Sequence, residues 1–240
     1  MIRHLLALTA ALGGTVFAAE VVVQGMIVPQ FDQAGRMVRR LNAESAVGGL
    51  TEKPRLKNAF VEFFSAADAS PERIATLDFQ DGVYDRARQT VTGAGHVVLR
   101  SRKGDVAGDG FEYDLVRNRL VLKSSVGIDV EGVHAAGNEA EVFLSQTSNQ
   151  EALITKAVVR SGVVVTGSGN PKIDFDRAAT ESATYTAANE TVVLASPVDV
   201  WKDGKRISTA GSEIKIYVGR ARTAAPASEY KTSSSVEKAH

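Results

Sequence analysis

The stretch VYDRARQTVTGAGHVVLRSRKGDVAGDGFEYDLVRNRLVLKSSVGI, from Val83 to Ile128, sets apolar residues at alternate positions between polar turns. At and just past its end the pattern is clearest: Val126, Ile128 and Val130 alternate with Gly127, Asp129 and Glu131. A period of two sends one set of side chains to a buried face and the other toward water. The same alternation returns in Ile214, Ile216 and Val218 against Glu213, Lys215 and Tyr217, and in Val198 and Val200 against Asp199 and Trp201. Turn signals separate the runs: Gln33-Ala34-Gly35, Asp81-Gly82, Lys103-Gly104-Asp105, Arg117-Asn118, Gly137-Asn138 and Asp203-Gly204. Such spacing predicts short strands joined by tight turns. Helix signals are sparse: Ser70-Pro71-Glu72 suits the cap of one turn, with no amphipathic run behind it. The chain therefore reads as all-β, a twisted antiparallel stack with little helix.

A degenerate repeat runs through this pattern. Tyr84, Val91, Val97 and Leu99 share their spacing with Tyr113, Leu120, Val126 and Ile128, and again with Tyr185, Val192, Val198 and Val200. In each copy a Tyr ends a strand and a polar turn follows: Asp85 to Gln89, Asp114 to Asn118, Thr186 to Glu190. The physical reading is a stack of similar hairpins, each burying its inner face only with its neighbours. A soft boundary falls at Glu131 to Gly137, dividing 20–132 from 133–222, and whether the two parts are continuous stays open. The segment Val133 to Ser168 is less regular, although Val163 to Val165 still reads as a strand.

Both ends differ from this middle. Met1 to His4 is short and basic, Leu5 to Phe17 is an apolar run of 13 residues, and Val16-Phe17-Ala18 offers small residues where a signal peptidase reads. A helix of that length rises about 20 Å against roughly 30 Å of hydrocarbon, so residues 1–18 are expected to be a cleaved signal peptide, with Ala19 as the second choice of site. The protein is then exported, and periplasmic. Residues 223–240 are rich in Ala, Ser and Thr without periodicity, which predicts a disordered tail. The 240 residues contain no Cys, which removes disulfides, thiol catalysis and thiolate metal sites. Lys plus Arg and Asp plus Glu both number 28, so the whole chain has no net attraction for nucleic acid.

Chemical motifs are scarce. Of the four His, His4 falls in the signal and His240 in the tail, while His96 lies mid-strand facing outward with no second His at metal spacing. Asp105, Asp109, Glu112 and Asp114 form an acidic run without the loop of a calcium hand. There is no nucleophile elbow and no P-loop, and Gly93-Ala94-Gly95 reads as a bulge or turn. No enzyme is expected, no catalytic residue, metal or cofactor is assigned, and the residual enzymatic reading is a carbohydrate-active one resting on paired carboxylates.

The stretch quoted above resembles the repeat of the LptA/LptC/OstA-like periplasmic lipopolysaccharide-transport β-jellyroll family. The resemblance rests on Gly95-His96-Val97 and on Glu112-Tyr113-Asp114, and on a second such unit from Ala179 to Ile214. Met26 to Phe64 is similar to the LptC-like opening, with its Asp32 to Arg36 turn, Ala43-Glu44-Ser45-Ala46, and the strand Leu56 to Phe63. Two features depart from the family: no long membrane anchor at the start, and a poor match over Ala135 to Lys172. The resemblance implies a partly open stack of antiparallel strands whose apolar interior shelters lipopolysaccharide acyl chains. It also implies end strands that pair edge to edge with neighbouring transport proteins or head to tail with further copies.

The candidate groove consists of Val97, Leu99, Leu120, Leu122, Val126, Ile128, Val192, Leu194, Val198 and Val200. Each would equally serve as plain core. Aromatics are 6% of the chain, and medium aliphatic side chains leave an interior that acyl chains can share. Arg100, Arg102, Lys103, Arg117 and Arg119 lie near strand ends, where cations would meet headgroup phosphates or simply face solvent. The alternative is an envelope structural or interaction protein with a filled β core and no lipid.

Overall fold

The computed structural model describes residues 21–48, 51–65, 72–145, 153–167, 173–209 and 213–218. The expected signal peptide and the expected tail lie outside the described residues. Fifteen strands form one antiparallel sheet. In chain order they are β1 (Val22–Phe31), β2 (Met37–Val47), β3 (Arg55–Phe64), β4 (Arg73–Asp85), β5 (Thr90–Ser101), β6 (Gly104–Asp114), β7 (Arg119–Val130) and β8 (Val133–Gly137). They continue as β9 (Glu139–Leu144), β10 (Ile154–Gly167), β11 (Arg177–Thr186), β12 (Thr191–Leu194), β13 (Val198–Lys202), β14 (Lys205–Thr209) and β15 (Ile214–Tyr217). One 3-10 turn, Ala187–Asn189, is the sole helical element among the described residues. The architecture is the all-β, antiparallel, jellyroll-like one that the period of two predicts, and the sheet is open, running from β1 at one edge to β15 at the other.

The pairing breaks along one line across the sheet. Between β2 and β3, Ala43 faces Ala59 and the next pair is Ser45 with Lys57. Between β5 and β6 the break falls between Gly93 and His96, and between β10 and β11 between Arg160 and Val163. Gly25, Asn58, Gly110, Ser125, Ser161 and Gly162, all with positive φ, lie on this line. It acts as a crease. An inserted residue bends a strand and shifts which parity faces inward. In β3 the buried set passes from Leu56 to Ala59, and in β6 from Gly108 to Phe111. Other strands stop at the crease instead. β8 and β9 meet there, so the first part of β10 pairs with β9 and the last part with β8. β12 and β13 divide in the same way on β11.

Two layers result. One holds the halves of β1 to β7 nearest the β5–β6 turn, then β8, β10, β11, β13 and β14. The other holds the remaining halves, then β9, β10, β11, β12 and β15. An apolar sheet face must be covered, and with no α-helix among the described residues to do so the sheet covers itself. Ring contacts record the closure: Phe63 of β3 meets Tyr113 of β6 edge-on with centroids 6.0 Å apart, and Phe79 of β4 meets Phe111 at 5.0 Å. Strands β3 and β6 are separated by two others at a spacing of about 4.8 Å each, so rings in one flat sheet could not touch. The enclosed core is one cluster extending from Met26 to Val218.

The repeat has a structural meaning. Tyr84, Tyr113 and Tyr185 are all buried. Five residues after each Tyr stands a left-handed residue that closes the turn: Gln89 (φ 52°), Asn118 (φ 52°) and Glu190 (φ 48°). The next inward positions, Val91, Leu120 and Val192, begin the return strand. Asp85 and Asp114, each directly after its Tyr, hold the turn by accepting the backbone N–H of Arg88 at 2.9 Å and of Arg117 at 2.8 Å.

Two expectations change. Asp81-Gly82 makes no turn: it lies inside β4, at the crease. The less regular segment after Val133 contains β8, β9 and the 14-residue β10, in which Ala157, Val158 and Val159 are buried in succession rather than alternately. At the soft boundary, Glu131 and Gly132 form the turn of the β7–β8 hairpin, with Val130 opposite Val133.

Candidate functional site

The candidate groove residues all point into the interior. Val97 and Leu99 come from β5, Leu120, Leu122, Val126 and Ile128 from β7, Val192 and Leu194 from β12, and Val198 and Val200 from β13. Their exposure is 0–9%. They do not form one contiguous patch, because β8 to β11 stand between β7 and β12 in the sheet. Apart from Val163 and Val165, the lining of that middle stretch was not singled out in the sequence: Ala135, Ala140, Val142, Val159, Ala178 and Ala183. Val163 to Val165 carried the one visible signal, while the alanines alternate too weakly in hydrophobicity to mark an inner face.

The interior changes character along its length. Between β3 and β6 it is filled by aromatic pairs, Phe63 with Tyr113 and Phe79 with Phe111. From β7 onward it is mainly Val, Leu, Ile and Ala, with Phe175 and Tyr185 the aromatic exceptions. At its two ends Val23 and Val28 of β1 and Ile214 of β15 are half-buried against the core, beside the buried Met26, Ile216 and Val218.

A seam lies opposite the crease, where the outer ends of the two layers meet. Arg39 of β2 faces inward there and reaches the β6–β7 turn of the other layer. Its Nη1 donates to the Tyr113 hydroxyl at 3.1 Å, to the Leu115 carbonyl at 2.5 Å and to Asn118 Oδ1. Burial pushes the Tyr113 phenol up to about 12, so it stays neutral and protonated. Beside it, Gln30 Nε2 of β1 donates to Gln89 Oε1 in the β4–β5 turn at 3.4 Å. Neither Arg39 nor Gln30 was singled out in the sequence, since both partners lie far along the chain.

The basic residues expected at a mouth are divided between the layers. Arg100 lies near the end of β5 and pairs with Asp78 at 2.9 Å, and Arg102 in the β5–β6 turn pairs with Glu72. Lys103 shares that turn. Arg117 and Arg119 sit at the opposite layer's turn, against Asp114 at 3.8 Å and Glu141 at 3.0 Å. The arrangement makes ion pairs along strand ends, not one cationic cluster. On the outer face, His96 Nδ1 pairs with Asp109 Oδ1 at 2.8 Å, and that contact, with Ser125, holds the Asp109 carboxyl below its ordinary range. Within the acidic run, Asp109 is held by His96, while Asp114 accepts backbone N–H groups of the β6–β7 turn. No known family model matches the chain, and no curated protein does.

Proposed function

We propose that the protein is a periplasmic lipopolysaccharide-binding and transport protein of the LptA/LptC-like kind, exported by a cleaved signal peptide and without a catalytic step. One observation carries the reading: a single apolar cluster runs the whole length of a self-folded sheet, from β1 to β15, with Val23, Val28 and Ile214 half-buried at its ends. Acyl chains would replace the contacts that the layers now make with each other. Each buried methylene contributes about 0.8 kcal/mol, so a chain of about 14 carbons gains on the order of 10 kcal/mol at most, with no specific polar contact. The mechanism is passive. Lipid slides between two faces of Val, Leu, Ile and Ala, and edge strands add to those of neighbouring transport proteins or of further copies.

A second reading is favoured by a specific observation. The candidate residues are only 0–9% exposed, as the filled core of a structural or interaction protein of the envelope would have them. The two readings part on one experiment. A photoreactive residue is placed at Val126 or Val198, both buried, or at the exposed Asp129. Lipopolysaccharide adducts at the inward positions and not at Asp129 are expected. Equal labelling at all three, or none, would reject the carrier and leave the filled core.

A further inference from the structure

Among the described residues no carboxylate pairs with Arg39, although it faces the interior beside apolar side chains. Arg36, Arg40, Arg100 and Arg119 each hold a carboxylate, at 2.8, 2.6, 2.9 and 3.0 Å. Arg39 is half-buried, stands opposite Phe63 on β3, and is held by three neutral acceptors of the β6–β7 turn. Those acceptors belong to residues only 0–2% exposed, so little water reaches that side of the guanidinium. A cation drawn away from water normally gains an anion, and charge-assisted bonds are about twice as strong as neutral ones. The planar fork also matches phosphate at two points. Its position adds the rest. Inward of Arg39 lie Leu41 and Ala43, and outward lies the seam, so a headgroup would stop at the guanidinium if its tails filled the interior.

We propose that Arg39 is a clasp and a receptor in one: its bonds to Tyr113, Leu115 and Asn118 close the seam, and a phosphate monoester on a lipid headgroup takes their place as the layers part. This inference rests on the carrier reading above. The recognised group is the phosphate, and its two sources, a lipid headgroup and the free anion, are separated by the probes.

The test uses the full chain with a photoreactive residue at Val126, titrated with lipid A, with its dephosphorylated form, and with inorganic phosphate as competitor. Arg39→Gln should raise the half-saturating concentration of lipid A about tenfold while changing that of the dephosphorylated lipid little. Arg39→Lys keeps the charge and loses the fork, and should give a smaller rise, which preserves the comparison if the Gln variant does not fold. Asn118→Gly removes a competing acceptor at a position whose φ of 52° suits glycine, so lipid A binding should tighten. A merely structural network would instead weaken both lipids in both variants, and that result overturns the proposal. If Val126 still labels and Arg39→Gln leaves lipid A binding unchanged, the clasp fails and the carrier stands. If no lipid labels Val126 in the unsubstituted chain, both fall. Displacement of lipid A by inorganic phosphate at similar concentration would assign the site to the free anion and overturn the headgroup.

Discussion

At Gly93 a side chain has nowhere to go. A Cβ there would lie 2.3 Å from Phe111 Cε1 and 2.7 Å from the Asp81 carbonyl oxygen, whereas one at Gly95 would meet nothing within 4 Å. Two glycines of the same short motif thus have different reasons to exist. The first lets β5 bend over the Phe111 ring at the crease; the second faces open space. Gly93→Ala should cost about 1–3 kcal/mol by overpacking, and Gly95→Ala should be neutral or stabilising by up to about 1 kcal/mol. Urea titration followed by circular dichroism checks both, and equal losses would mean that the ring does not set the bend. In the sequence the pair could be read as a bulge or turn. Which glycine matters depends on a ring 18 positions away in the chain, invisible to local reading.

Among the elements, the hairpin turns follow one local rule. In the β4–β5 and β6–β7 turns a Tyr packs inward, the Asp after it accepts turn N–H groups and a left-handed residue closes the loop; at the end of β11 Thr186 stands in the Asp position and makes no such bond. Asp85 shows the electrostatic side of this rule. The Arg88 backbone N–H, with Lys53 nearby at 3.2 Å, holds its carboxyl below the ordinary 3.8. A folded value below the unfolded one means that the ionised form stabilises above about pH 4, and that this contribution is lost as pH falls through the folded value. Asp85→Asn should therefore melt below the parent at neutral pH, and the two melting curves should converge in acid. A gap that stays constant down to pH about 2 would remove the charge from the explanation. These turns were legible because the Tyr, the turn residues and the left-handed residue lie within six consecutive positions. The interruptions of β3, β7 and β10 were not. Asn58, Ser125 and Ser161 are ordinary polar residues, and their left-handed geometry is imposed by where neighbouring strands bend.

At the scale of the molecule, the sheet's open edges matter most. Val21 to Phe31 contains no charged residue, and Val22, Ile27 and Phe31 are 51%, 59% and 60% exposed. At the opposite edge Ile207 and Tyr217 are exposed as well. Proteins usually guard such an edge with charge, because its unpaired N–H and C=O groups template another strand. If β1 pairs as the proposed function has it, the parent should associate with concentration in sedimentation velocity, and Ile27→Lys should abolish that association while leaving the far-ultraviolet spectrum unchanged. Association equal to that of the parent would exclude β1 as the pairing edge.

Alternating hydrophobicity, the Tyr–Asp turns and the inward direction of every groove candidate follow from neighbours a few positions apart, and these could be read directly from the chain. The crease, the meeting of two layers and the reach of Arg39 across 79 positions to Asn118 could not. They arise because an apolar sheet with no α-helix among the described residues finds its cover in itself. Which face meets which then depends on bulges and register summed over many strands, a long-range packing outcome that no short window of sequence contains.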